Sequence, residues 1–200
     1  MSHTRLVAGL GNPGPRYAGT RHNVGAMVVE ELARRAGEQL SPALRRHATV
    51  ATTRIGPVGL GVVTPDSQPV VLMRPTTYMN DSGRAVRAVA EAHGVVAGDV
   101  VVVHDELDLD LGQLRLKAGG GDNGHNGLRS VRAHLGSGEF LRVRVGVGRP
   151  PGRRDPADFV LSRFPASQRE EVALVVAEAA DAVECLLTAG LTAAQNRFNR

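Results

Sequence analysis

The chain has 200 residues, 42% of them hydrophobic, and a net charge of +4, which suits one ordinary domain with a sizeable core and argues against wholesale disorder. No apolar run approaches the ~20 residues needed to span a bilayer, and the short apolar stretch after Arg5 is too brief for a signal-peptide core, so a cytoplasmic protein with no membrane partner is expected. One cysteine, Cys185, leaves no internal disulfide and no cysteine-based metal site, while the basic balance permits an anionic partner such as nucleic acid.

Leu6-Val7-Ala8 reads as a short buried strand. Residues 23–36 read as a helix, with Val24, Met27, Val28 and Leu32 on one face and Gly37 just past its end. Residues 48–55 alternate, and 59–63 follow a turn at Gly56-Pro57, which predicts a hairpin. A strand at 70–73 and a helix at 82–93 closed by Gly94 come next. Val100-Val101-Val102-Val103 is a continuous apolar run, as in a central strand buried on both faces. Residues 113–117 alternate, 126–135 form a helix ended by Gly136, and 140–148 alternate with Arg142 and Arg144 on one face. The spacing predicts a long helix over 167–188, opened by a capping box at Ser167 and Glu170. Alternating strands and helices indicate an α/β fold: one globular domain over residues 1–200, with a twisted mixed β-sheet covered by helices on both faces.

In such sheets chemistry gathers beyond the carboxyl ends of the strands. Four polar clusters fall there: Gly11-Asn12, Tyr78-Met79-Asn80, His104-Asp105-Glu106, and a glycine loop at 119–126. Gly9-Leu10-Gly11-Asn12-Pro13-Gly14 matches a dinucleotide-binding spacing, which would suit a nucleotide-dependent oxidoreductase. Pro13 and Pro15 resist an immediate helix, however, and the pyrophosphate needs a helix N-terminus at the glycines. His22 sits at the start of the first helix, where a neutral imidazole, the form a general base needs, is favoured. Asp105 ends the most buried strand. Its carboxylate could orient such an imidazole, or the acidic group around it could bind metal, although the spacing matches no ligand signature. The loop at 119–127, with Lys117 before it and Arg129 and Arg132 after it, suits a phosphate-bearing partner. Lys117 is the one lysine among 24 basic residues. No Gly-x-Ser-x-Gly elbow is present, so a hydrolase here would activate water directly.

In order along residues 6–164, these segments together resemble the bacterial peptidyl-tRNA hydrolase family. They are Gly9 to Gly14 with Tyr17, Thr20-Arg21-His22-Asn23-Val24-Gly25, Arg74-Pro75-Thr76-Thr77-Tyr78-Met79-Asn80, His104-Asp105-Glu106-Leu107-Asp108, Gly119 to Leu128, and Arg142 to Gly148. The resemblance implies a cofactor-free, metal-free enzyme, expected as a monomer, that cleaves the ester joining a nascent peptide to tRNA. It implies His22 as general base, Asp105 as its orienting carboxylate, and Asn12 as reader of the blocked amino group. Asn80 and Asn126 would hold the substrate's 3′ end, Tyr17, Tyr78 and Met79 would line the cleft, and Lys117 with Arg144 would hold the tRNA 5′ phosphate. Tyr78 stands where many relatives have Phe, and Asp122-Asn123 where many have Gly with His or Glu. A non-enzymatic RNA-binding relative is the other reading that the family leaves open.

Overall fold

The computed structural model describes residues 3–199. The strands are β1 (Arg5–Gly9), β2 (Ser41–Ala43), β3 (Ala48–Gly56), β4 (Gly59–Leu60), β5 (Gln68–Pro75), β6 (Val100–Glu106), β7 (Leu114–Ala118) and β8 (Leu141–Gly146). The helices are α1 (Val24–Arg35), α2 (Ser82–His93), α3 (Asn126–Leu135), α4 (Pro156–Val160), α5 (Arg169–Ala189) and α6 (Leu191–Phe198). All strands join one mixed sheet in the order β2-β3-β5-β1-β6-β8-β7, with β4 hairpinned to β3. The central strands β5, β1, β6 and β8 pair in parallel, and the pairs towards both edges are antiparallel.

Because side chains alternate along a strand, the sheet feeds two cores. Val7, Leu72, Val101, Val103, Val143 and Val145 pack with residues of α1, α5 and α6. Leu6, Ala8, Val71, Met73, Val100 and Val102 pack with residues of α2 and α3. Helices therefore cover both faces, and β6 is buried along its whole length. Each fully buried Val or Leu contributes about 1.5–3 kcal/mol, so the four consecutive valines anchor the strand whose end carries Asp105.

The turn after β1 owes its glycines to packing. A Cβ on Gly9 would lie 2.2 Å from the Gly25 oxygen, and one on Gly25 would lie 2.1 Å from the Val103 oxygen. These glycines let α1 press onto β1 and β6. The Leu10 N–H then donates to the Val103 carbonyl at 3.0 Å, and the Ala26 N–H to the Leu10 carbonyl at 3.1 Å. Residues 10–23 are thereby held over the carboxyl ends of the central strands. No phosphate-binding role is needed to explain the glycine spacing.

Some expectations need correction. The long helix starts at Arg169, not Ser167. Residues 166–168 form a 3-10 turn after extended Pro165, and Gln168 caps α5 without a side-chain hydrogen bond. Ser167 lies inside that turn rather than ahead of the helix, so the capping box does not form. The β4 hairpin arm pairs over two residues only, and β8 is shorter than its alternation suggested. Three elements had no sequence signal: β2 is three residues long, α4 is five, and α6 is a separate helix because Gly190 (φ 85°) breaks the run after α5. The last of these protects an edge. The Asn199 side chain accepts from the Leu116 N–H at 2.6 Å and donates to its carbonyl at 3.1 Å, and Gln195 donates to the same carbonyl at 3.0 Å. Edge strand β7 thus has main-chain groups occupied by side-chain amides instead of being open to another strand.

Candidate active site

The carboxyl ends of β1 and β6, the turn before α2 and the start of α3 surround a cleft of about 790 Å³. His22 is held there by a 3-10 turn (Arg21–Asn23) whose neighbours are both anchored. Arg21 on one side is buried. Its guanidinium donates to the Ser162 hydroxyl at 2.6 Å and the Arg163 carbonyl at 2.9 Å, and it lies against the Phe159 and Phe164 rings at 4.2 and 5.2 Å. Burial, with Arg154 nearby, pulls the Arg21 pKa below its ordinary value. Asn23 on the other side forms a reciprocal pair with the backbone of Asn12, accepting from its N–H at 2.8 Å and donating to its carbonyl at 2.9 Å. Asn23 therefore fixes the loop carrying Asn12. The Asn12 side-chain oxygen accepts the Met79 N–H at 2.7 Å, which ties that loop to the turn before α2.

His22 Nδ1 lies 2.9 and 3.0 Å from the two oxygens of Asp105, whose side chain is 3% exposed. A carboxylate accepts, so Nδ1 carries a proton and donates, and in the neutral imidazole Nε2 is then the bare nitrogen. His125 Nε2 lies 2.8 Å from the same Asp105 oxygen. His125 Nδ1 accepts from the N–H groups of Gly127 and Leu128, capping α3. His125 is thus fixed as the tautomer protonated on Nε2. Burial alone pushes the Asp105 carboxyl up, but the facing imidazoles and their hydrogen bonds outweigh it and hold it well below the usual carboxylate range. Beneath them lies fully buried His104, whose Nδ1 donates to the Asp105 carbonyl at 2.8 Å; burial, with His125 adding to it, lowers its pKa to about 3.

His22, Asp105 and His125 also offer ligand atoms within 4.8 Å of one another, the geometry of a cation site. In this structure those atoms are joined by hydrogen bonds from both imidazoles to the carboxylate.

Asn12, Tyr17, His22, Tyr78, Met79, Asn80, Asp105 and Asn126 all face the cleft. Tyr17 and Tyr78 meet edge to face, 6.4 Å between centroids, and Tyr78 is well exposed at the mouth. Met79 is buried against the start of α3, where a Cβ on Gly127 would lie 2.5 Å from its sulfur. Lys117 and Arg144 face a second cavity of about 490 Å³ with Arg142. Burial first, then Arg144 and Arg142, lower the Lys117 pKa.

Sequence reasoning gave no role to Asn23, His125, Arg142 or Glu106. His125 carried a signal: a histidine directly before a helix-forming run is placed to cap it. Arg142 had a weaker one, as a charge inside a strand at the centre of the alternation. It is buried and grips the Gly120 and Gly121 carbonyls, both at 2.6 Å, fastening the glycine loop to β8.

The comparisons with known proteins agree with this architecture. The family model described as "Peptidyl-tRNA hydrolase" matches residues 6–200. A peptidyl-tRNA hydrolase of Cutibacterium acnes is 63% identical over 199 residues, covering 100% of both chains. One of Mycolicibacterium vanbaalenii is 52% identical, covering 98% of this chain and 97% of the relative. The crystal structure of peptidyl-tRNA hydrolase from Acinetobacter baumannii superposes with a TM-score of 0.84 at 34% identity, covering 100% of this chain and 96% of that one. No helix among the described residues is long and apolar enough to cross a membrane. Full-length identity and a shared sheet lead to one assignment: the chain belongs to the peptidyl-tRNA hydrolase family and is a hydrolase of peptidyl-tRNA.

Proposed function

We propose that this enzyme cleaves the peptidyl ester by direct attack of a water molecule activated by His22. The observation that carries the reading is the Asp105–His22 hydrogen bond at 2.9 Å, which leaves His22 Nε2 as a bare acceptor beside the cleft. Nε2 takes a proton from water as the water oxygen bonds to the ester carbon, and Asp105 stabilises the imidazolium that forms. The tetrahedral intermediate then expels the ribose 3′ oxygen, which recovers the proton from His22. Free tRNA and a peptide carboxylate result. Among the described residues no serine or cysteine lines the cleft, so nothing there suits the usual acyl-enzyme route. No cofactor or metal is invoked.

Recognition divides between the two cavities. The Asn12 carboxamide oxygen is taken by Met79, so its Nδ2 is the group left for the substrate. A donor there suits the carbonyl of an acylated amino group, which a free aminoacyl ester lacks. Asn80 and Asn126 are placed to hold the 3′ end and support the oxyanion. Tyr17, Tyr78 and Met79 give the cleft its aromatic and apolar walls. Lys117 and Arg144 in the second cavity receive the 5′ phosphate of tRNA.

His22→Ala is expected to lose turnover by roughly 10²–10⁴-fold while keeping tRNA binding. Near-normal turnover would remove His22 as the base. In rapid-quench measurements peptide and tRNA should appear at one rate; a burst of tRNA ahead of peptide would establish an acyl-enzyme instead.

A further inference from the structure

The two cavities share a wall, since Glu106, Asp108 and Asn123 face both. Glu106 is the centre of that wall. Its Oε2 accepts from Arg144 Nε at 3.0 Å and Nη2 at 2.9 Å. Its Oε1 accepts from the Asp108 N–H at 3.1 Å and from Asn123 Nδ2 at 3.4 Å. The same Asn123 amide donates to Asp108 Oδ2 at 2.8 Å, and Asp108 is ion-paired to Arg149. One carboxylate, only 6% exposed, is therefore divided between a cation of the basic cavity and the wall of the catalytic cleft.

We propose that Glu106 is a positioning residue coupling the cavities: a phosphate in the basic cavity draws Arg144 off Glu106, and the freed carboxylate tightens on Asn123 and Asp108, firming the glycine loop against the cleft. The inference rests on the reading that Lys117 and Arg144 take a phosphate. The physical argument is one of partners. A buried carboxylate that loses a bidentate cation must strengthen its other hydrogen bonds, because leaving charge unsatisfied in a poorly hydrated site is costly. The donors within reach are the Asp108 N–H and the Asn123 amide, and the 3.4 Å contact has room to shorten. Asn123 is suited to the post: it holds a left-handed conformation (φ 49°) that Asn adopts more readily than most residues. Arg142 already secures the preceding Gly120 and Gly121 carbonyls, so tightening at Asn123 would clamp the loop from both ends. The loop leads straight into His125, which holds Asp105.

The test is amide hydrogen exchange in the full chain with inorganic phosphate, against chloride at matched ionic strength, with binding followed by NMR shifts of Lys117 and Arg144. Phosphate is expected to slow exchange of the Asn123 and Gly124 amides about five-fold or more. That response should vanish in Asn123→Gly, which keeps the left-handed backbone but lacks the amide, and in Glu106→Gln, which lacks the charge. Phosphate binding with no slowing in the native chain overturns the coupling and leaves the phosphate site standing. Equal slowing in native and Asn123→Gly overturns the route through Asn123. No phosphate binding at all overturns the phosphate reading and the coupling with it.

Discussion

His125 donates to Asp105 through Nε2 at 2.8 Å while its Nδ1 accepts the first free N–H groups of α3. One side chain thus caps a helix and braces the carboxylate hydrogen-bonded to His22. Replacing it by Ala should cost about 1 kcal/mol of stability through the lost cap. It should also lower kcat by roughly 10-fold or more, because Asp105 loses a charge-directed hydrogen bond. His125→Asn restores a helix cap but does not reproduce the reach to Asp105. Steady-state kinetics and urea denaturation of both variants check this: stability should recover in His125→Asn while kcat stays low. Full kinetic recovery would make the cap the whole role.

Asn12 is braced on three sides, its backbone by Asn23 and its side-chain oxygen by Met79, which leaves Nδ2 as the free donor. The native enzyme is expected to cleave N-acetylated aminoacyl-tRNA and to spare the free aminoacyl form. Asn12→Asp exchanges a donor for an acceptor of the same shape and should reduce kcat/KM on the acetylated substrate by about 10²-fold. Equal cleavage of both substrates by the native chain would sink the role given to Asn12.

Lys117 lies opposite Arg142 in the β7–β8 ladder, which sets it in the basic cavity. Lys117→Ala should weaken tRNA binding and reduce the slope of log K against log salt by about one. Filter binding over a salt series measures it. A variant with an unchanged slope would place Lys117 outside the tRNA contact.

Fully buried His104 gives stability a pH dependence. Its pKa falls from the usual value near 6.5 to about 3 on folding, so between these values the unfolded chain holds a proton that the native chain refuses. Stability therefore falls as pH drops through that window, by roughly 1.4 kcal/mol per pH unit once well below 6.5. Asp105 and Glu31 shift downward too, but their contributions are lost only as pH falls into the ordinary carboxylate range and below, so from pH 7 to about pH 5 the loss is chiefly that of the histidine. Urea denaturation at pH 7 and pH 5 should show a loss of about 2 kcal/mol attributable to His104, absent in His104→Asn. Equal losses in both proteins would assign the effect elsewhere.

Much of the fold was legible because its elements are strongly patterned. The run Val100–Val103 announces a strand buried on both faces, and the helix at 126–135 is bounded by Gly136 in the left-handed conformation a helix end uses. Elements with too few residues to show a period, β2 and α4, were not legible, and neither was the 3-10 turn at 166–168, whose first-turn residues mimic a capping box. Among site residues, those in dense polar motifs at strand ends stood out. Asn23, Arg142 and Glu106 did not, because what distinguishes each is a partner distant in the chain: 11 residues away for Asn23, 21 and 22 for Arg142, 38 for Glu106.

The His125–Asp105 contact spans 20 residues and the His22–Asp105 contact 83. By itself the sequence determined the longer, strongly patterned strands and helices, that they alternate into an α/β sheet, and which polar clusters end up beyond strand termini. It could do so because periodicity and glycine placement act within a few residues. Only the tertiary structure decided that two imidazoles share one carboxylate, that Lys117 and Arg144 open into a separate cavity, and that Glu106 stands between the two. Those facts follow from strand order and ladder register, which are set by how whole faces bury against one another and not by any local pattern.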